Sequence, residues 1–199
     1  MTDADPKADL RRYLQAARDA LVWKLDGLSE YDMRRPMTAT GTNLLGLVKH
    51  MAGVELGYFG DTFGRKFPES PPWYANMDDE PNADFWASED ESHDDIVGLY
   101  RRIWAFADET IESNPLDAAG EVPWWPPERR KTTLHRVLVH VIAEIHRHAG
   151  HADIVRELID GAIGMRAGAS NLPDLDADKW RDHREKLERV ARAAGSVQS

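Results

Sequence analysis

Apolar residues recur at spacings of three and four along most of this chain, which is the pattern of helices that bury one face. The pattern predicts four long helices, at about residues 9–28, 43–63, 92–113 and 132–160. Gly161 follows the last of them and suits the left-handed conformation that ends many helices. Four amphipathic helices with almost no strand-like alternation predict an all-α fold, a four-helix bundle.

The second predicted helix carries four glycines along its length, Gly46, Gly53, Gly57 and Gly60. Each glycine costs up to about 1 kcal/mol in a helix interior, so this helix depends on tertiary packing. Small residues also permit a close approach, which we expect another helix to make. Thr42 directly precedes the helix and is its predicted N-cap.

Two long loops separate the predicted helices, at residues 64–91 and 115–131. Prolines and acidic residues mark both segments as irregular. The first loop also holds four aromatic residues between Trp73 and Trp86, so we expect it to fold back on the helices. A short hairpin in either loop is compatible with the sequence, although no segment predicts a strand convincingly.

A domain boundary is predicted near residue 165, where the helical pattern gives way to a turn-rich segment. We expect residues 1–165 to form the bundle and residues 166–199 to form a C-terminal extension. The extension includes a charged, weakly apolar helix at about residues 178–194. Such a composition is typical of a helix on the surface.

The composition excludes several classes of function. The chain has 199 residues, with 25 Lys and Arg against 35 Asp and Glu, and a net charge of −10. A negative surface argues against nucleic acid or an anionic membrane as the main partner. Cysteine is absent, which excludes a disulfide, a thiolate zinc site and a thiol nucleophile. Neither a signal peptide nor a run of about 20 apolar residues is present, so a location in the cytoplasm is expected.

On the fourth predicted helix, three polar side chains sit beside an otherwise apolar face. Glu144, His148 and His151 follow one another at intervals of four and three residues, so they share one ridge of the helix. A carboxylate next to a core face is costly unless a cation or a strong donor meets it. A Glu and a His one turn apart can bind a single metal ion together. His146 falls on the polar side of the same helix.

A third metal ligand is expected from a facing helix. His50 lies beside the apolar stripe of the second helix, between Leu47 and Val54. His50, Glu144 and His148 would form a set of two histidines and one carboxylate, which is typical of metal sites with open positions. The residues alone leave plainer interpretations open: His50 as an ordinary core histidine, and Glu144 with His148 as an ordinary helix pair.

Two segments carry a resemblance to a known family, GTNLLGLVKHMAGVELGYFGD in the second helix and HRVLVHVIAEIHRHAGHADIVRELIDG in the fourth. Together they resemble the DinB superfamily, and more closely its branch of mycothiol-dependent enzymes, over about residues 8–165. His50 and His148 stand at two of the metal-ligand positions of that superfamily. Glu144 replaces the histidine that is usual at the third position, and this replacement is similar to the metal domain of mycothiol-dependent maleylpyruvate isomerase.

The resemblance implies a bundle that binds one divalent metal ion, with zinc as the first expectation and nickel, iron and manganese as alternatives. It also implies a thiol S-transferase that uses a low-molecular-weight thiol such as mycothiol, for example in detoxification. A metal ion lowers the pKa of a bound thiol, and the resulting thiolate can attack an electrophile. His151 is the candidate catalytic residue, which would orient the thiol, act as a base or complete the metal shell.

The segment WWPPERRK at residues 124–131 is a second candidate feature. Trp124 and Trp125 could wall a pocket, and the three basic residues precede a helix N-terminus, which favours anions. A glycoside-like thiol with a polar handle could dock there. The alternative is that the tryptophans pack the loop and the basic residues are solvated.

Two other functions stay open on the sequence. A metal-dependent hydrolase would use metal-activated water as its nucleophile, with His151 or another base assisting. A non-enzymatic metal-binding bundle would have a role in stress. The transferase has a small-molecule thiol and an electrophile as its expected partners. A homodimer is compatible with glycine-rich helices, although the sequence does not fix the oligomeric state.

Overall fold

The four predicted long helices all form in the computed structural model, which describes residues 5–76, 80, 82–170 and 172–195. In chain order the helices are α1 (Pro6–Trp23), α2 (Glu30–Arg34), α3 (Leu44–Phe59), α4 (Pro72–Ala75), α5 (His93–Ser113), α6 (Leu134–Asp160) and α7 (Ala177–Gly195). Helices α2 and α4 are short and were not predicted, because four or five residues carry too little periodicity. The prediction of an all-α fold is confirmed.

The core lies between the four long helices. Helix α3 packs against both α5 and α6, and α1 packs against α6. Each of these helices contributes fully buried apolar side chains, among them Leu14, Met51, Ile103 and Val141. Burying one such side chain contributes about 1.5–3 kcal/mol, so the shared core is what holds the glycine-containing α3 in place.

The predicted helix ends are mostly correct, with one corrected cap. Asn43, not Thr42, caps α3, because its side-chain oxygen accepts a hydrogen bond from Gly46 N at 2.7 Å. Thr133 caps α6 and accepts from the backbone of the first helical turn. Gly161 ends α6 with a φ of 79°, which is the left-handed conformation that the sequence predicted.

Two of the predicted helices are too long. Helix α1 ends at Trp23 rather than Leu28, and α3 ends at Phe59 rather than Phe63. The end of α1 is fixed by Arg156, whose guanidinium donates to two backbone carbonyls just beyond the helix at 2.9 Å each. Because Arg156 already donates hydrogen bonds to these carbonyls, they do not need backbone N–H partners from a further helical turn. After α3 the chain tightens into a single 3₁₀ turn.

A small hairpin forms within the second long loop. Strands β1 (Ala119–Glu121) and β2 (Lys131–Thr133) pair antiparallel, with Gly120 opposite Thr132. Three residues per strand are too few to give a clear alternation of apolar and polar residues, so the sequence is compatible with this hairpin but does not predict it. The pairing holds the intervening tryptophan-containing segment close to α3.

The glycines of α3 mainly allow loops, not another helix, to come close. A Cβ at Gly46 would lie 1.8 Å from the carbonyl oxygen of Phe85, and one at Gly57 would lie 2.8 Å from a loop tryptophan ring. Gly60 lies just beyond α3. A Cβ there would first meet the carbonyl oxygen of Leu56 in α3 itself, and the ring of Phe106 in the facing α5 would lie 3.1 Å away. The expected helix–helix approach is therefore wrong for Gly46 and Gly57, because both long loops lie over α3.

The first long loop folds back on the helices, as predicted from its aromatic content. Lys49 of α3 is only 3% exposed, and its ammonium donates to the carbonyl of Trp86 at 2.9 Å and to Glu91 at 2.8 Å. The same ammonium lies 5.0 Å from the centre of the Trp73 ring. A buried lysine thus has charge, hydrogen-bond and aromatic partners, and it ties the loop to α3.

The core also contains a buried ion pair that the hydrophobic pattern does not predict. Arg18 of α1 and Glu55 of α3 are 1% and 0% exposed, and Nη2 of Arg18 lies 2.6 Å from Oε2 of Glu55. Tyr100 of α5 donates to the same carboxylate at 2.8 Å, and Arg18 also donates to Asp108. Burial opposes the charge of Arg18, but Glu55 and Asp108 outweigh it and raise the pKa of the guanidinium. This network joins three helices.

Helix α7 buries no residue, which fits the surface element that the sequence predicted.

In the described part of the chain, no helix has both the length and the apolar character needed to cross a membrane. The division at residue 165 stays a prediction. Parts of both predicted units lie outside the described residues. In the bundle these are residues 1–4, 77–79 and 81, and in the extension they are residues 171 and 196–199.

Candidate metal centre and adjoining cavity

Helices α3 and α6 run antiparallel and bring their histidines face to face. The ring centres of His50 and His148 lie 4.8 Å apart. Two turns along the same pair of helices, the rings of Tyr58 and His140 lie 4.7 Å apart. The sequence predicted that His50 would face the ridge of the fourth helix, and the structure places it there.

Glu144 lies one turn before His148 on α6. Its Oε2 is 3.7 Å from Nε2 of His148, which is close to the separation of about 3.4 Å expected for two ligands of a tetrahedral zinc ion. As the side chains stand, no group of three or more His, Cys, Asp or Glu residues in the described segments is arranged to hold a metal ion. His50, Glu144 and His148 are therefore neighbours, but their side chains are not positioned to coordinate one metal ion together.

The imidazole of His148 is buried and lacks hydrogen bonds. Its Nδ1 has no partner in the described structure, and Nε2 is too far from Glu144 for a hydrogen bond. Burial lowers the pKa of His148 to about 4, and the neighbouring His50, His151 and Arg147 add to this effect. The ring is therefore neutral at pH 7, which is the form that binds metal ions. A buried imidazole without hydrogen bonds is costly, and a bound cation would offset that cost.

His50 is oriented by a residue that the sequence analysis missed. Its Nδ1 lies 2.6 Å from Oδ2 of Asp84, and the ring of Phe85 stacks on the imidazole with centres 3.9 Å apart. Burial raises the pKa of Asp84, but the hydrogen bond and the charge of His50 outweigh it, so this pKa is lowered. With Nδ1 engaged by the carboxylate, Nε2 is the nitrogen available to a metal ion.

A cavity of about 610 Å³ adjoins these residues. It begins at His50 and Glu144 and follows one face of α3 past Gly57 and Tyr58 to Asp61. At 1.5 Å per residue, the face of α3 from His50 to its end at Phe59 is about 14 Å long, and Asp61 lies just beyond it. The volume is typical of small-molecule sites, and the length suits a reactant that reaches from the histidines to the far end.

The WWPPERRK segment contributes its aromatic residues to the cavity but not its basic ones. Trp124 and Trp125 line the cavity, as the sequence suggested. That these basic residues help dock a ligand stays a prediction. Arg129, Arg130 and Lys131 do not line the cavity, because Arg130 donates to the carbonyl of Trp125 at 2.8 Å and Lys131 starts strand β2.

His151 lies beside the candidate ligands but outside the cavity. Its ring packs edge-on against His148 with centres 5.3 Å apart, and it does not line the cavity. This position suits support of His148 better than contact with a reactant in the cavity. The catalytic role of His151 stays a prediction. His146 is exposed, in agreement with its predicted place on the polar side.

A comparison with curated proteins finds none that matches this chain. A family model described as mycothiol-S-transferase matches residues 9–161. The matched range covers helices α1 to α6, and it includes His50, Glu144, His148 and the whole lining of the cavity. This range is most of the chain and coincides with the bundle. The chain therefore belongs to the mycothiol-S-transferase family, a DinB-like family.

Proposed function

We propose that the protein is a divalent-metal-dependent S-transferase that joins mycothiol to an electrophile, with zinc as the first expectation for the metal. The observation that carries the proposal is the buried, neutral His148, which packs against His50 behind the end of a 610 Å³ cavity that His50 and Glu144 line. The family match supports mycothiol as the thiol. The absence of cysteine from the sequence means that the reacting sulfur has to arrive on a co-substrate.

The residues around the candidate centre have separate tasks in this proposal. Asp84 holds the tautomer and orientation of His50, and burial keeps His148 neutral. Glu144 supplies the negative charge that offsets a cation. A divalent cation held there would lower the pKa of a thiol, which is about 8.5 when free, and so provide thiolate at pH 7.

The cavity then sets the geometry of the reaction. A thiolate sulfur near His50 and Glu144 would attack an electrophilic carbon held further along α3. A carbon–sulfur bond forms, and the electrophile either loses a leaving group or gains a proton after addition. Bringing the two reactants together in one enclosed groove removes much of the entropic cost of their encounter.

A thiol-replacement assay tests this function. The purified protein is incubated with 1-chloro-2,4-dinitrobenzene and mycothiol, and conjugate is measured by mass spectrometry. We expect conjugate to form well above the uncatalysed rate only when both the metal and mycothiol are present. The analogue of mycothiol with oxygen in place of sulfur should give no conjugate, because a hydroxyl is not ionised at pH 7.

Chelator-treated protein is the control for the metal, and readdition of zinc should restore the rate. An unchanged rate after the thiol is omitted, with the hydroxylated product of water attack, would contradict the transferase proposal. A metal-dependent hydrolase would then take its place.

A further inference from the structure

The end of the cavity that lies furthest from His50 and Glu144 is built from aromatic rings. The Tyr58 ring makes edge-on contacts with Trp124 and Trp125, with centres 5.1 Å and 6.0 Å apart. Nε1 of Trp125 donates to the Tyr58 hydroxyl at 3.1 Å, and the His140 ring completes the wall. These contacts fix the rings in place, so this end presents a preformed aromatic surface to a ligand.

The charges that line the cavity all have one sign. Asp61, Asp84 and Glu144 line it, whereas no lysine or arginine of the described residues does. Asp84 is hydrogen-bonded to His50 and, with Glu144, lies at the end where a bound cation would offset the two carboxylates. Arg136 lies 5.3 Å from the centre of the Trp125 ring but is not part of the lining.

Asp61 differs from Asp84 and Glu144 in its position, because it lies at the aromatic end of the cavity. Its Oδ2 accepts a hydrogen bond from the Tyr74 hydroxyl at 2.7 Å, which fixes the carboxylate in the wall of the cavity. In the described part of the chain it takes part in no ion pair. It follows the end of α3, and the part of α3 from His50 to Phe59 is already about 14 Å long, which exceeds the screening length of about 8 Å at physiological salt. A cation at the metal centre therefore does little to neutralise it.

We infer that this aromatic end binds the electrophile, and that it selects an electrophile with an apolar body and a positive charge over an anionic one. The faces of tryptophan and tyrosine rings attract cations, and Asp61 attracts them from the same wall. An anion would meet a carboxylate and, among the described residues that line the cavity, no lysine or arginine to pair with. The identification of this ligand as the electrophile rests on the proposed function, whereas the preference for a cation does not.

Three matched probes test the preference. Benzylammonium, benzyl alcohol and benzoate share a ring and differ in charge, and each is titrated into the protein as purified by isothermal calorimetry at pH 7. We expect benzylammonium to bind most tightly and benzoate most weakly. Asp61→Asn removes the charge but keeps an acceptor for Tyr74. We therefore expect it to lower the affinity for benzylammonium at least about five-fold and to leave the affinity for benzyl alcohol unchanged.

Glu128→Gln is the matched control, since Glu128 is exposed and does not line the cavity. Its binding of benzylammonium should equal that of the wild type. Equal affinity for the three probes, undetectable benzylammonium binding at millimolar concentration, or an unchanged affinity in Asp61→Asn would overturn the inference. A charge preference without transferase activity would instead count against the proposed function and leave the cation site standing.

Discussion

Replacing His148 by alanine is expected to lower the metal content of the purified protein at least about ten-fold. His148 is a buried, neutral imidazole whose two nitrogens have no hydrogen-bond partner in the described structure, so it is free to bind a cation. Removing it would leave only His50 and Glu144 of the proposed ligand set. Metal per chain is measured by inductively coupled plasma mass spectrometry after gel filtration.

His146→Ala is the matched control, because it removes the same side chain from an exposed position on the same helix. It should keep the metal content of the wild type. Circular dichroism checks that both variants stay helical, and Glu144→Gln provides a milder substitution if His148→Ala does not fold. Equal metal content in His148→Ala and His146→Ala would show that His148 is not a ligand.

Replacing Glu55 by alanine is expected to cost about 3–5 kcal/mol of the free energy of unfolding. The substitution leaves the guanidinium of Arg18 buried without its bidentate partner and removes the acceptor of the Tyr100 hydroxyl. Arg18 would then keep only the half-buried Asp108 as a charged partner, and the buried Tyr100 hydroxyl would lose this acceptor, so the burial of both groups would be poorly offset. Guanidinium chloride unfolding followed by circular dichroism measures the change.

A surface ion pair supplies the comparison for Glu55. Glu112 pairs with Arg11 at 2.6 Å, but both side chains are well exposed, so Glu112→Ala should cost no more than about 1 kcal/mol. The double variant Arg18→Met with Glu55→Leu removes both charges and should recover much of the stability. Similar losses for Glu55→Ala and Glu112→Ala would contradict the role given to the buried pair.

The sequence predicts that the candidate metal residues are neighbours because their signal is local. Glu144 and His148 are one helical turn apart and interrupt an apolar face, and His50 interrupts another. Antiparallel packing of two regular helices then brings them together. The same periodicity predicts the four long helices, and the errors at Leu28 and Phe63 arise where tertiary bonds and a tight turn override the pattern.

The features that the sequence does not predict depend on contacts between distant segments. Asp84 is one of many acidic residues in a long loop, and only the fold shows that it meets His50. Arg18 and Glu55 look like ordinary polar residues of two helices until packing buries them against each other. The sequence places the basic residues near Lys131 just before a helix, but the pairing of two short strands determines where that segment lies.

The central claim is that a metal ion held by His50, Glu144 and His148 binds the sulfur of mycothiol. X-ray absorption at the metal edge tests it, with the metal-loaded protein recorded before and after mycothiol is added. We expect one new sulfur neighbour at about 2.3 Å from a zinc ion, and none when oxygen replaces sulfur in the thiol. A metal spectrum that mycothiol leaves unchanged, in a sample that forms conjugate, would show that the metal ion does not bind the sulfur.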